Sequence, residues 1–249
     1  MAASGFLPSF SPEARAQKGR PLGWTDQYQR PQDLPPRLPV FPLRGAILLP
    51  RATLPLNIFE PRYLAMLHDT LAGSRLIGII QPARTGSVLE TESPQGKSSP
   101  LRSVGCAGRV TSYQELDDGR LAITLTGIGR FEVIGEAASP TAYRIASVSY
   151  DRFVQDLTQG LGENEVDRAG LLRVLKSYLE QNRLEADWTS IERASSESLV
   201  NALSIMAPYG AEEKQALLEA RDLKTRSEVL VALAEMEIAA NGGSGGTIQ

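Results

Sequence analysis

The apolar residues of the first half of the chain fall into short runs separated by glycine, proline and charged residues, a pattern typical of strands. The runs predict strands at 38–41, 54–59, 76–80, 104–113, 121–125, 131–134 and 143–150. Asp118 and Gly119 lie between two runs and predict a hairpin turn, because both residue types tolerate positive φ. One helix interrupts the series; it begins at Pro61 and ends near Gly73. Many short strands with one helix predict a small, partly open β-barrel.

After about residue 153 the apolar spacing becomes helical. Leu199, Leu203 and Met206 recur at i, i+4 and i+7, and Pro208 follows as a stop signal. The segment 225–228 reads as a capping box before a further apolar helix. We therefore expect a bundle of four or so helices after the barrel, which makes the fold class α+β.

These patterns divide the chain into four parts. They are a flexible Pro-rich arm at 1–36, the β-barrel at 37–153, the helical bundle at 154–240 and a flexible Gly/Ser tail at 241–249. Proline fixes φ and removes a backbone donor, so we expect the arm to be extended and largely unpacked. Its apolar residues Leu22, Trp24 and Tyr28 remain able to dock locally on the body. A polar excursion at 83–100 is expected between two strands.

Composition narrows the class of protein only slightly. The chain has 249 residues, 42% of them hydrophobic, with 26 basic and 29 acidic side chains, which is ordinary for a globular protein. The barrel segment carries a net charge of +3 and the segment 154–249 carries −7, as two solvated surfaces would. No signal peptide or membrane span is recognisable, so we expect a cytoplasmic protein without a membrane partner.

No group of residues supports catalysis. Gly96-Lys97-Ser98 resembles the end of a phosphate-binding loop, but Thr91 stands where that loop needs glycine. The single histidine, His68, and the single cysteine, Cys106, leave few routes to a triad or a metal site. Cys106 lies in a predicted strand and is expected to be buried. We predict no catalytic residues, no metal and no cofactor.

Several motifs together resemble a known family. They are Phe41-Pro42-Leu43, Leu49-Pro50, Leu54-Pro55-Leu56, Ile58-Phe59-Glu60 and Arg62-Tyr63, followed by Gly105, Gly108 and Gly127-Ile128-Gly129. This set is similar to the N-terminal domain family of Lon proteases, the substrate-binding domain that precedes the motor in those enzymes. The resemblance covers about residues 37–240. It implies a barrel like that of pseudouridine synthases and archaeosine transglycosylases (PUA-like), followed by a helical bundle.

The resemblance also implies a function. We expect a free-standing protein without ATPase or peptidase domains that binds unfolded or extended polypeptides, as an adaptor in protein quality control with a protease or chaperone as partner. The expected peptide-binding residues are Leu54, Leu56, Phe59, Glu60, Arg62 and Tyr63. Strand edges that border the 83–100 loop are a second candidate surface. Asn57 departs from the family, which often has histidine there.

Other interpretations stay open at this stage. The corner residues also fit a purely structural role, with Phe59 filling the barrel while Glu60 and Arg62 fix the turn into the helix. RNA binding is the alternative function, because arginine supplies 12 of the 13 basic residues in 37–153 and PUA-like folds bind RNA. An enzyme is a weaker third option, because nucleophiles and bases are scarce.

Overall fold

The structure, a computed structural model, describes residues 25, 27–83, 99–182 and 184–243. Residues 241–243 are described by their backbone alone. Most of the predicted arm, most of the 83–100 loop and the end of the predicted tail therefore lie outside the described residues. The lysine motif at 96–98 lies outside them as well.

Six strands and six α-helices make up the described part of the chain. The strands are β1 (Arg37–Pro42), β2 (Thr53–Ile58), β3 (Leu76–Pro82), β4 (Leu101–Glu115), β5 (Leu121–Ala137) and β6 (Arg144–Ser149). The helices are α1 (Pro61–Ala72), α2 (Arg168–Asn182), α3 (Trp188–Arg193), α4 (Ser196–Met206), α5 (Ala211–Glu219) and α6 (Leu223–Gly243). Short 3-10 helices lie at Pro31–Asp33, Asp151–Leu157 and Glu163–Glu165. None of the described helices is long and apolar enough to cross a bilayer.

The strands form one mixed sheet that closes on itself in part. Their order is β2-β5-β4-β3-β1-β6, and β6 also pairs with β5. Strands β5, β4, β3, β1 and β6 thus form a ring, to which β2 adds along the first half of β5. β1 and β3 are parallel, and the other pairs are antiparallel. The α+β class is confirmed, with a ring-like sheet rather than a clean barrel.

Local signals placed several elements correctly. α1 begins at Pro61, where a first helical residue tolerates proline. Gly119 adopts a φ of 80° in the turn between β4 and β5, and Asp118 accepts a hydrogen bond from the backbone N–H of Arg120. Cys106 is fully buried in β4, as the sequence predicts. α6 continues to Gly243 and so includes the first residues of the predicted tail.

β5 is one long strand where the sequence predicts two. Gly127 makes this continuity possible, because a Cβ atom there would lie 2.0 Å from the carbonyl oxygen of Leu49. The close approach lets the backbone N–H of Arg51 donate to the carbonyl of Gly127 at 2.8 Å. The strand register shifts between Ala107 and Gly108, opposite Gly127 and Gly129. The glycines thus accommodate a bulge and a crossing loop.

The end of the predicted arm is packed rather than free. Tyr28 and Leu34 are buried, 8% and 4% exposed, in a small cluster with Leu38 and Phe131. The phenol of Tyr28 accepts a hydrogen bond of 2.8 Å from Arg109. The packing of Tyr28 is the local docking that the sequence allows for this residue, and Leu34 adds a second buried apolar side chain. Leu22 and Trp24 lie outside the described residues.

The two halves of the molecule share their main core. One continuous apolar cluster runs from Phe41, Met66 and Leu125 in the barrel to Val200 and Leu217 in the helices. The helical part, five helices in the described residues, is thus held against the ring by common apolar burial.

A buried ion pair ties the ring to the helices. The guanidinium of Arg130 in β5 donates to both carboxylate oxygens of Asp156 at 2.7 Å, and both side chains are almost fully buried. Arg130 also donates to the carbonyls of Leu218 and Ala220 at the end of α5. Its guanidinium lies 4.2 Å from the ring centre of Phe153. One side chain therefore joins three elements.

Replacing Gly127 with alanine should destabilise the fold, because its Cβ meets backbone that cannot move aside. We expect a loss of about 1–3 kcal/mol in the free energy of unfolding. Gly135→Ala is the matched control in the same strand, since nothing lies within 4 Å of its Cβ position. Urea unfolding of both variants tests this; equal stabilities would contradict it.

Breaking the buried ion pair should cost more than breaking an exposed one. Asp156→Asn leaves the Arg130 charge buried without its counter-ion, and we expect a loss of about 3–5 kcal/mol. Glu132→Gln removes the carboxylate of the exposed pair with Arg152, and we expect less than about 1 kcal/mol. The midpoints of denaturant unfolding measure both losses, provided that the slope of the unfolding free energy against denaturant is unchanged. Comparable losses for the two variants would contradict the greater importance of the buried pair.

Candidate functional site

The predicted peptide-binding residues lie at one corner of the sheet, which we call the β2–α1 corner (Leu54–Tyr63). β2 ends at Ile58, and Phe59 and Glu60 form the turn before α1. Among the described residues, β2 pairs on one side only, with β5. Its outer edge therefore offers unpaired backbone groups.

Leu54 and Leu56 face the core from this edge strand. Both are half-buried and pack against the main cluster, whereas the residues that alternate with them, Thr53, Pro55 and Asn57, are exposed. The alternation is that of a strand with one buried face. Pro55 removes one backbone donor from the strand, as is common at sheet edges.

Phe59 is the outward side chain of the corner. It is 64% exposed, so the structural interpretation in which it fills the barrel is wrong. Tyr63 takes the inner position instead: it is buried, and its ring centre lies 4.1 Å from that of Phe41. Phe59 follows the buried Ile58 and continues the alternation of β2, in which Thr53, Pro55 and Asn57 are also exposed, which is why it points away from the core.

Glu60 and Arg62 form an ion pair across the start of α1. Nε of Arg62 donates to Oε2 of Glu60 at 2.9 Å, and the Arg62 guanidinium lies 4.7 Å from the ring centre of Tyr63. Both charged side chains are about two-fifths exposed. The pair fixes the turn, as the structural interpretation proposed, and it also places one charge of each sign beside Phe59.

The second predicted surface is less open than expected. β3 and β4, which border the 83–100 loop, pair with each other. On their other sides β3 pairs with β1 at Gly78–Ile80 and β4 pairs with β5 from Val104 to Glu115. Pro82 lies opposite Leu101, and the backbone N–H of Ala83 donates to the carbonyl of Pro100 at 2.6 Å. The open edge near the corner belongs to β2 instead.

A groove that the sequence did not indicate lies between the ring and the helices. We call it the central groove; its volume is about 990 Å³. Its walls come from the segment 50–53, from Gly127 and Ile128, from the loop 157–160 and from one face of α4. Thr25, Tyr28 and Gln29 of the arm line one end. The groove reaches Thr53, the first residue of β2, and so adjoins the corner.

Ionic contacts hold the two walls of the groove together. Arg51, whose φ is 62°, donates to the carboxylate of Glu197 in α4 and to the carbonyl of Asp156 at 2.6 Å. A non-glycine residue in the left-handed region is strained, and the strain is tolerated where surrounding contacts enforce it. The amide of Asn201 donates to the carbonyl of Pro50 at 3.0 Å. These contacts fix the position of α4 relative to the ring.

Both carboxylates that line the groove are engaged by groups of the protein itself. The backbone N–H of Glu197 donates to Glu163 and holds the pKa of that carboxyl below its usual range. The other carboxylate, that of Glu197, is engaged by Arg51 and by the backbone N–H of Gly160. Both carboxylates therefore already accept hydrogen bonds from within the protein.

The two candidate nucleophile or base residues lie elsewhere. Burial raises the pKa of the Cys106 thiol, which is fully enclosed in β4. His68 is an exposed residue of α1 and does not line the groove. Among the described residues, no cluster of three or more side chains could hold a metal ion.

The groove includes Met206, a residue of the apolar pattern that predicts α4. Its spacing with Leu199 and Leu203 predicts one apolar helix face. The structure buries Leu199, half-buries Leu203 and leaves Met206 78% exposed at the groove. The apolar stripe of α4 is therefore wider than the core it covers. Periodicity shows which residues are apolar, but it cannot separate core positions from groove positions.

Fold and site together define a class: a small α+β protein in which a ring-like sheet and a helical part enclose a groove. The model of the ATP-dependent protease La (LON) substrate-binding domain matches residues 37–235. The chain belongs to this family, as the sequence motifs indicate.

Several Lon proteases are similar to this chain in sequence. The Lon protease of Flavobacterium johnsoniae is 26% identical over 203 residues, which cover 79% of this chain and 23% of that protein. Lon protease 2 of Myxococcus xanthus is 27% identical over 208 residues, covering 81% and 24%. Lon protease 2 of Sorangium cellulosum is 29% identical over 203 residues, covering 79% and 24%. The chain spans about a quarter of the length of these relatives.

Solved structures share the fold. The Lon N-terminal domain protein from Xanthomonas campestris aligns with a TM-score of 0.54 at 22% identity, over 79% of this chain and 97% of that one. The N-terminal domain of the Mycobacterium avium complex Lon protease aligns with a TM-score of 0.58 at 18% identity, over 80% and 98%. Both alignments include nearly the whole of the solved chain.

Two aromatic residues of the corner should respond differently to truncation. Tyr63→Ala removes a buried ring from the core, and we expect a loss of about 3–5 kcal/mol in the free energy of unfolding. Phe59→Ala removes an exposed ring, and we expect a change within about 0.5 kcal/mol. Thermal and urea unfolding measure both. A large loss for Phe59→Ala would mean that the residue supports the fold.

Proposed function

We propose that this chain is a non-catalytic module that binds unfolded or extended polypeptide segments at the β2–α1 corner. The single observation that carries the proposal is the exposed ring of Phe59 beside the unpaired edge of β2. Membership of a substrate-binding domain family supports it. In this proposal the protein acts as an adaptor in protein quality control, hands its clients to a protease or chaperone, and works in the cytoplasm.

Apolar burial would supply most of the affinity. Covering the exposed part of Phe59 would contribute about 1–2 kcal/mol, and the outer parts of Leu54 and Leu56 would add to it. Ordering an extended chain costs free energy, so a few such contacts give affinities on the order of micromolar. A folded protein keeps its apolar side chains inside, so it would offer little for this surface to bind.

Backbone pairing along β2 would add a second contribution. An extended segment can join an open sheet edge through main-chain hydrogen bonds, which do not depend on its sequence. Pro55 interrupts this ladder at one position, so the side-chain contacts at Phe59 remain necessary. The ion pair of Glu60 and Arg62 borders the surface and would meet polar groups of either sign. Loose selectivity follows from this combination.

RNA binding receives less support from the arrangement of charge. Seven arginines of the barrel segment form ion pairs within the protein: Arg51, Arg62, Arg102, Arg120, Arg130, Arg144 and Arg152. A surface that binds phosphates needs cationic groups that are free to replace counter-ions. Pairing with nearby carboxylates opposes this, so the polypeptide remains the favoured ligand.

The experiment titrates the full chain into a labelled protein kept unfolded by reduction and alkylation, and in parallel into a labelled RNA oligomer. We expect the unfolded protein to bind and its folded form not to bind. The affinity should change little with added salt, because the contacts are mostly apolar. Tight RNA binding that falls steeply with salt, without polypeptide binding, would overturn the proposal.

Phe59→Ser should weaken polypeptide binding by about five- to thirtyfold, the equivalent of 1–2 kcal/mol. Ile134→Ser is the matched control: it removes another exposed side chain, 70% exposed, further along β5. Ile134 lies nine residues beyond Leu125, which is roughly 30 Å of strand away from the corner. Equal effects of the two substitutions would show that the corner is not the binding surface.

A further inference from the structure

A second cleft lies where the 3-10 helix at Asp151–Leu157 meets the start of α6. We call it the α6 cleft; its volume is about 500 Å³. It adjoins the central groove, because Pro50, Arg51 and Glu197 line both. One water molecule takes up about 30 Å³ in the liquid, so this space admits a small solute together with its nearest waters.

Arg226 lines this cleft as a buried cation that pairs with no carboxylate among the described residues. Its side chain is almost fully buried, and the residue is 3% exposed. Nε donates to the carbonyl of Leu217 and Nη1 to the amide oxygen of Asn201, each at 3.0 Å, and both acceptors are neutral. Nη2 has no hydrogen-bond partner in the described part of the chain. A buried charge without a counter-ion is costly.

The carboxylates nearest to Arg226 are already committed to other arginines. Asp156 pairs with Arg130, and Glu197 pairs with Arg51. Burial, and after it the nearby charge of Arg130, lowers the pKa of Arg226 to about 10, so the guanidinium is still protonated at neutral pH. Three guanidinium groups therefore share two carboxylates in this cluster, which leaves one positive charge without compensation.

The exposed part of the cleft carries charges of both signs. Arg221 and Lys224 line it with side chains that are 83% and 49% exposed. Asp222 pairs with Arg221 at 2.8 Å and accepts from the backbone N–H of Thr225, whereas the exposed Glu165 opposes an anion. Five basic and four acidic residues line the cleft in all. The positive end of the α6 dipole adds to this small excess.

We propose that the α6 cleft binds one oxyanion group, either inorganic phosphate or the terminal carboxylate of a peptide. Arg221 and Lys224 are the exposed cations that contact it. Arg226 supplies the uncompensated charge; because its Nη2 has almost no accessible surface, that charge acts through its field rather than by direct contact. The bound anion offsets the cost of the buried guanidinium, so binding stabilises the folded chain.

An oxyanion fits this site better than a halide does. Its oxygens accept several charge-assisted hydrogen bonds at once, and lysine and arginine side chains are the donors that suit them. Chloride offers the same charge without directed acceptors. The site is separate from the β2–α1 corner, and the proposal does not depend on the function proposed there.

Calorimetric titration and thermal unfolding of the full chain test the site with three probes. These are inorganic phosphate, an acetylated tripeptide with a free terminal carboxylate, and the same tripeptide as its amide, all compared with chloride at equal ionic strength. We expect phosphate or the free-acid tripeptide to bind with an affinity on the order of millimolar and to raise the melting temperature. Whichever of the two binds more tightly identifies the source of the oxyanion. If neither exceeds chloride and the amide, the proposal is overturned.

A pair of lysine substitutions locates the bound anion. Lys224→Gln should weaken binding by about three- to tenfold, because it removes one charged donor. Lys176→Gln is the matched control: each lysine lies 4.0 Å from a glutamate one turn further along its helix, and Lys176 does not line the cleft. Equal effects of the two substitutions, or no effect of Lys224→Gln, would mean that the anion binds elsewhere.

Substitutions of Arg226 test the role of the buried charge. Arg226→Lys keeps the charge and should keep the stabilisation by the bound anion, whereas Arg226→Gln should abolish it. Circular dichroism establishes that each variant folds; if Arg226→Gln does not fold, the comparison of Lys224 with Lys176 decides. Retained binding in a folded Arg226→Gln variant contradicts the proposal. None of these substitutions lies at the β2–α1 corner, so this test can fail while polypeptide binding there stands.

Discussion

The charged pair of Arg130 and Asp156 is the contact on which the arrangement of the two halves depends. Burying a guanidinium is costly unless its donors are satisfied. Here the donors reach Asp156 and the carbonyls at the end of α5, so strand β5, the 3-10 helix at 151–157 and α5 are placed together. Apolar burial supplies the driving force for packing the halves, but it is non-directional. The ion pair requires a defined geometry and therefore fixes how the two halves are oriented.

The central groove is a consequence of that placement. The carbonyl of Asp156 accepts from Arg51, whose guanidinium also engages Glu197 at the start of α4. Pro50, beside Arg51, accepts from Asn201 one turn further along α4. These polar contacts occupy the space between the ring and the helices, where apolar side chains would otherwise pack and close the gap. The groove stays open because these hydrogen bonds set the distance between its two walls.

Local chemistry could be predicted from the sequence, and long-range geometry could not. The turn at Gly119 and the start of α1 at Pro61 depend on residues a few positions apart, so pattern reasoning found them. The family motifs gave the class of fold and the corner. The exposure of Phe59 was missed because its apolar ring suggested a core position, although the alternation of β2 groups it with the exposed Pro55 and Asn57. The groove was missed because its contacts, such as Arg51 with Glu197, join residues 146 positions apart.

The segment from Pro50 to Tyr63 shows how stability and binding are divided along one stretch of chain. Its inward side chains, Ile58 and Tyr63, belong to the core, whereas Phe59 contributes little to it. The same segment forms a groove wall at its start and the open corner at its end. Single exposed apolar side chains are common on soluble proteins. Here, however, the exposed ring of Phe59 lies in the turn between β2 and α1, next to a strand edge that is unpaired among the described residues, so the binding proposed at the corner would require no rearrangement of the core. Affinity at such a surface would be limited mainly by the cost of ordering an extended ligand, because the protein's own groups are already in place.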